Sequence, residues 1–218
     1  MAGFFCGDIV NQDLGLFSIY VVLLIILLTI FFKNRDWKYT EDESTKKFGI
    51  LVSSQIVSLL GEALFNLSLV LHNSIFIKIM TFIMFGFNYA ISVVFFRYLL
   101  CVIDANIKKL IPIIRTVQII YSIFIILFFV NIFTGWIVDF TNTEKSLSTL
   151  FEVFRILPVA LVFVSSLIVL IAKKNVIAFK FTFFCFSVFP LIAFHLELIS
   201  DRCFMNIGFT IAVILIYL

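Results

Sequence analysis

Ionisable and amide side chains are scarce in this chain, and inside its apolar stretches they recur at helical spacing. Gln55, Ser58, Glu62 and Asn66 follow one another at intervals of three, four and four residues, which sets all four on one face of a helix. Thr81, Asn88 and Ser92 share a face at intervals of seven and four, and Asn206 and Thr210 lie four apart. Gln118 and Ser122 repeat that interval, with Asn131 farther on. Glu152 and Arg155 are three apart, close enough to pair along one helix. His195 and Glu197 come late in another stretch, after Pro190. Such groups suit recognition of a small polar ligand, or proton sensing through a carboxylate or imidazole. They equally suit interhelical hydrogen bonding, worth about 0.6 kcal/mol per contact inside a membrane.

The elements that must position these groups follow from composition. The 218 residues are 63% hydrophobic and 13% charged, with a mean hydropathy of +1.20. Soluble domains hold about 45–50% apolar and about 25% charged residues. Disordered, collagen-like and disulfide-scaffold classes are excluded by the same comparison, and only 8 Gly and 3 Pro argue against a loop-rich β chain. An all-α, polytopic membrane protein is the class that remains. A transmembrane β-barrel would alternate apolar and polar residues, which runs such as Val21 to Leu28 do not.

Uncharged or nearly uncharged stretches close to the roughly 20 residues of a membrane-spanning helix predict seven spans in a single domain, 1–218: about 14–32, 48–71, 75–103, 116–138, 149–172, 181–199 and 203–218. Lys33, Arg35, Lys38, Lys46, Lys47, Arg97, Lys108, Lys109, Arg115, Lys173, Lys174 and Lys180 lie about the first, third and fifth loops. The even loops hold only Lys78, Lys145 and Arg202. Basic residues favour the cytoplasmic side, so the expectation is N-terminus out and C-terminus in. The net charge of +3 follows from this asymmetry and carries no implication of nucleic-acid binding. The first span lacks a basic n-region and reads as a retained anchor rather than a cleaved signal. Cys6 and Cys203 both fall on the outer side, as a disulfide or as two free small hydrophobes. The seventh span has no basic anchor after it, and the expectation is that the chain is the membrane part of a longer protein with a cytoplasmic effector.

At about 1.5 Å per residue, Glu62 lies about 14 residues from the inner end of its span and just outside the midplane, with Asn88 at a similar level. Asn131, Glu152, Arg155, His195, Glu197 and Asn206 fall in the outer part. A pocket in the outer half is therefore expected, built from Glu62, Asn66, Asn88, Asn131, Glu152, Arg155, His195 and Glu197. Structural hydrogen bonding is the competing reading of the same residues. Pro190 frees the carbonyl at Phe186, giving a hinge or a fixed bend. The 30 Phe suit lipid-facing and packing roles.

No catalytic constellation emerges. His-Glu-x-x-His, Gly-x-Ser-x-Gly, phosphate-loop and Cys/His metal spacings are absent from the sequence. Catalytic residues, a bound metal and a cofactor are accordingly not expected, and the chain as it stands is not read as an enzyme. The last span has no lysine for a retinal Schiff base.

Asn131-Ile132-Phe133-Thr134-Gly135-Trp136 leads into a loop with Asp139 and Asn142. Phe87-Asn88-Tyr89-Ala90 lies upstream, and Phe189-Pro190-Leu191-Ile192-Ala193 downstream, before Ile207-Gly208-Phe209-Thr210-Ile211-Ala212 and Ile216-Tyr217-Leu218. This order resembles the N-terminal seven-transmembrane sensor domain of bacterial GGDEF-type diguanylate cyclases and related sensor histidine kinases. The resemblance implies a sensory input module in the cell membrane, with the lipid bilayer, a small-molecule ligand, a cytoplasmic effector domain and a second copy of the chain as partners. The chain contains no GGDEF or kinase region, so that activity does not transfer to it. A small transporter or channel is the alternative; an intramembrane enzyme lacks the nucleophile and base it would need.

Overall fold

The computed structural model describes residues 3–71, 74–102, 107–137, 177–200 and 205–218, together with positions 153, 156, 157, 160, 163 and 164. The expected span at 149–172 is therefore described only at those scattered helical positions, and Cys203 lies outside the described residues. The described fold is all-helical: α1 (Gly3–Lys33), α2 (Glu43–Val70), α3 (Ser74–Val102), α4 (Ile107–Thr134), α5 (Ile177–Ser200) and α6 (Met205–Tyr217), with a 3-10 turn at Arg35–Lys38. No strand occurs among the described residues.

Local chemistry defines the helix ends. Asn34 closes α1 by donating from Nδ2 to the Ile30 carbonyl at 2.9 Å. Asp42 opens α2 as its N-cap: the Thr45 amide donates to Oδ2 at 2.9 Å and the Ser44 amide to Oδ1 at 3.2 Å. The Thr45 and Ser44 hydroxyls donate to the same carboxylate. These bonds, the Thr45 hydroxyl first, hold the exposed Asp42 carboxyl down at about 2. Gly135 ends α4 in the left-handed conformation (φ 59°), its amide bonding the Asn131 carbonyl at 2.8 Å.

α2 lies at the centre, packing against α1, α3 and α6, while α4 packs on α3 and α5 forms a hairpin with α6. One apolar cluster joins α1, α2, α3, α5 and α6 through Tyr20, Leu27, Leu59, Phe95, Phe186 and Phe209. Phe95 and Phe186 stack with ring centroids 3.6 Å apart. A second cluster joins α3 to α4, where Phe85 and Phe128 stack at 4.5 Å.

The surface is as apolar as the interior. Ile19, Val22, Ile25 and Ile26 of α1 are exposed, as are Ile119, Ile123, Ile126 and Phe133 of α4. Gln55, Ser58, Glu62, Asn66, Asn88, Asn206 and Thr210 are buried instead. Apolar outside and polar inside is the arrangement that a hydrocarbon solvent selects. Among the described residues, four helical stretches are long and apolar enough to cross a bilayer: Gly15–Lys33, Glu43–Ser68, Ile75–Val102 and Arg115–Thr134. Those in α5 and α6, Lys180–Leu196 and Asn206–Tyr217, are apolar but shorter.

Two substitutions test this packing. Gly208 faces α5 so closely that a Cβ would stand 2.7 Å from the Phe189 carbonyl oxygen and 2.8 Å from the Ala193 Cβ. Gly208→Val is expected to lower stability in detergent by about 1–3 kcal/mol, because backbone cannot move aside. Gly86→Ala, with open space around its Cβ, is expected to be neutral or to stabilise by up to about 1 kcal/mol. Equal thermal-unfolding shifts would refute the close α5–α6 approach. The Asp42 cap gives a pH signature. A carboxyl depressed from 3.8 to about 2 contributes stability that is complete above about pH 5 and is lost as the pH falls toward about 2. The stability difference between the native chain and Asp42→Ala should therefore shrink over that acid range; a pH-independent difference would exclude the cap.

Candidate functional site

The polar face of α2 meets polar groups on two other helices. Gln55 and Ser58 flank the middle of α2 and are fully buried. Gln55 Nε2 donates to the Thr210 hydroxyl at 2.8 Å and to the Asn206 carbonyl at 3.2 Å. Ser58 Oγ lies 3.1 Å from Asn88 Oδ1 and 3.0 Å from Asn206 Oδ1. The Thr210 hydroxyl donates to the Asn206 carbonyl one turn back, at 2.7 Å. Ser92 donates to the Asn88 carbonyl at 3.1 Å and lies beside the Tyr121 hydroxyl of α4. The network thus links α2 and α6 through Gln55, and α2, α3 and α6 through Ser58.

Its donors and acceptors do not balance. Ser58 has one hydroxyl proton and two carbonyl oxygens within reach. Gln55 Oε1 and Asn206 Nδ2, both buried, have no hydrogen-bond partner. Each such buried group costs about 1–3 kcal/mol. Rotating the Asn206 amide presents Nδ2 to Ser58 Oγ, which then donates its proton to Asn88 alone. In the described structure the cluster leaves one donor and one acceptor over.

The expected site residues divide. Glu62, Asn66 and Asn88 are buried on the facing helices α2 and α3, and Asn66 donates to the Glu62 carbonyl at 2.9 Å, one turn back. Asn131 serves locally: its Oδ1 accepts the Ile137 amide at 2.6 Å and fixes the chain beyond α4. His195 is on an exposed part of α5. Glu197 lies on the same helix, whereas Glu152 and Arg155 fall outside the described residues. Pro190 is buried in α5, beside the turn that Gly208 meets. Gln55, Ser58, Asn206 and Thr210 join Asn88 in the network described above. The signal for them was in the spacing: a pair three apart on α2 opposite a pair four apart opening the last apolar run.

α6 is positioned by this contact. Its first described turn meets the middle of α2, and Tyr217 near its end lines a cavity with Asn34, Ser44 and Thr45. The described part of α6 therefore runs antiparallel to α2, along its Glu43 half. The arrangement is one of amides and hydroxyls suited to hydrogen-bonding a small polar group or exchanging partners. Among the described residues no group of three or more His, Cys, Asp and Glu could hold a metal ion. Cys101 and Cys185 are free thiols.

A double-mutant cycle on Gln55→Met and Thr210→Val should give a coupling of about 0.6 kcal/mol, with about 1.7 as its ceiling, measured by reversible unfolding in detergent. Additive effects would show that the α2–α6 bond contributes nothing. Compared with known proteins, the chain matches no family model, no curated protein and no solved structure.

Proposed function

We propose that this chain is a membrane-embedded sensory module whose output is the position of α6. Seven crossings put the N-terminus outside and the C-terminus inside. Glu62, Asn66 and Asn88 contribute to a ligand- or membrane-responsive region in the outer half, and α6 relays its state to a cytoplasmic signalling partner. Diguanylate cyclases and histidine kinases are the partner classes implied by the sequence resemblance. The observation that carries this reading is the Gln55–Ser58–Asn88–Asn206–Thr210 network. It attaches α6 to α2 and α3 through bonds that can exchange, leaving one donor and one acceptor unsatisfied. A stimulus can shift a two-state bundle only by binding one state better, and partner exchange in a buried amide cluster supplies two states separated by a small energy.

A small transporter or channel is the second reading, favoured by one observation. Buried amides and hydroxyls of Gln55, Asn88, Asn206 and Thr210 converge at the middle of α2, and polar groups gathered near the midplane line the sites of many transporters.

Fusing a kinase output domain to Leu218 tests the first reading. Output is expected in the cytoplasm and should change severalfold in Ser58→Ala and Asn206→Leu, while the exposed His195→Gln leaves it near the parent level. Indifference to both network variants, at equal membrane levels, would overturn the relay. A fusion that is active only when exported would overturn the orientation.

A further inference from the structure

The 3-10 turn between α1 and α2 builds a second site, distinct from the polar network. Arg35 and Lys38 are three residues apart, and in a 3-10 turn side chains at that interval lie over one another. Both are exposed, and neither has a carboxylate within ion-pair distance among the described residues. Lys46 comes to the same place from the first turn of α2, with Glu43 3.4 Å away. Between them is a cavity of about 270 Å³ whose apolar wall is Phe31, Trp37 and Ile50.

The wall is rigid. Trp37 is held edge-on by Phe31 and Phe48, with centroids 5.8 and 5.9 Å apart. It lies against Gly49 so closely that a Cβ there would stand 2.8 Å from Trp37 Cδ2. Below the cavity the apolar surface continues: Ile50 and Val57, seven apart on α2, are exposed, as is Phe32 at the end of α1. Above it stands Tyr39, 84% exposed. A pocket with two free cations at its mouth, an indole in its wall and an exposed apolar rail below has the polarity of a phospholipid: phosphate at the cations, acyl chains along the rail.

We propose that this cavity binds the headgroup of an anionic membrane phospholipid, with Arg35 and Lys38 on the phosphate and Trp37 at the glycerol level. A free phosphate ion would use the same cations, but it would make no use of the exposed Ile50–Val57 rail, and the lipid is the occupant that fits both. The assignment rests on the reading of the chain as membrane-embedded.

The full chain carrying Trp136→Phe, so that Trp37 is the sole tryptophan, is reconstituted into phosphatidylcholine vesicles containing brominated phosphatidylglycerol or brominated phosphatidylcholine. Quenching of Trp37 reports occupancy. The expected result is a roughly tenfold preference for phosphatidylglycerol, abolished in Arg35→Gln/Lys38→Gln and retained in Arg35→Lys, with 10 mM inorganic phosphate failing to displace the lipid. Equal quenching by the two lipids, or a preference that survives the double glutamine variant, overturns the site. Displacement by inorganic phosphate overturns the lipid in favour of a soluble phosphate. A chain that is not in the bilayer leaves Trp37 unquenched by either lipid, which separates failure of the membrane reading from failure of the headgroup site.

Discussion

The structure depends on hiding the polar face of α2. Gln55, Ser58, Glu62 and Asn66 lie on one side of that helix, and each is at most 5% exposed. Buried polar groups need hydrogen-bond partners, so other helices must supply them. That requirement explains why α2 is central, why α3 and α6 bring Asn88, Asn206 and Thr210 to it, and why the outer helices α1 and α4 turn isoleucines and phenylalanines outward.

Polar attachment alone would not select one packing. Two further devices narrow the choice. Where α6 meets α5, Gly208 lets the chains approach to backbone contact, which maximises dispersion where burial against lipid-like surroundings supplies little driving force. Where α3 meets α5 and α4, stacked rings do the same work with large flat surfaces, Phe95 on Phe186 and Phe85 on Phe128. The polar network then sets the register of α6. The atoms it leaves without a hydrogen-bond partner are Gln55 Oε1 and Asn206 Nδ2.

Much of this was legible in the residues. The helical class followed from the uncharged runs, and the spacing of Gln55 through Asn66 identified the inward face of α2. The partners of that face were harder to read. Hydropathy reports that the run from Cys203 is apolar but not which part of α2 it packs against, and that contact, Asn206 and Thr210 on Gln55, appears only in the folded chain. Asn131 is expected among the pocket residues from its place in an apolar run, and its local bond to the Ile137 amide is legible only from the helix end. Its position four residues before Gly135 is the signal of a helix end, and there it fixes the chain beyond. His195 illustrates a different limit: periodicity in α5 is weak because nearly every residue is apolar, so the face it occupies could not be assigned. The fit of Trp37 against Gly49 is a contact between segments and has no trace in local spacing.

The chain order of the network bears on how the molecule is built. α2 and α3 are neighbours in sequence, so Ser58 meets Asn88 as soon as both have left the ribosome. The partners of Gln55 are more than 150 residues downstream, on the last helix. Until α6 has been made, the Gln55 amide is without its native bonds. A contact that closes so long a stretch of chain forms only once α6 lies beside α2.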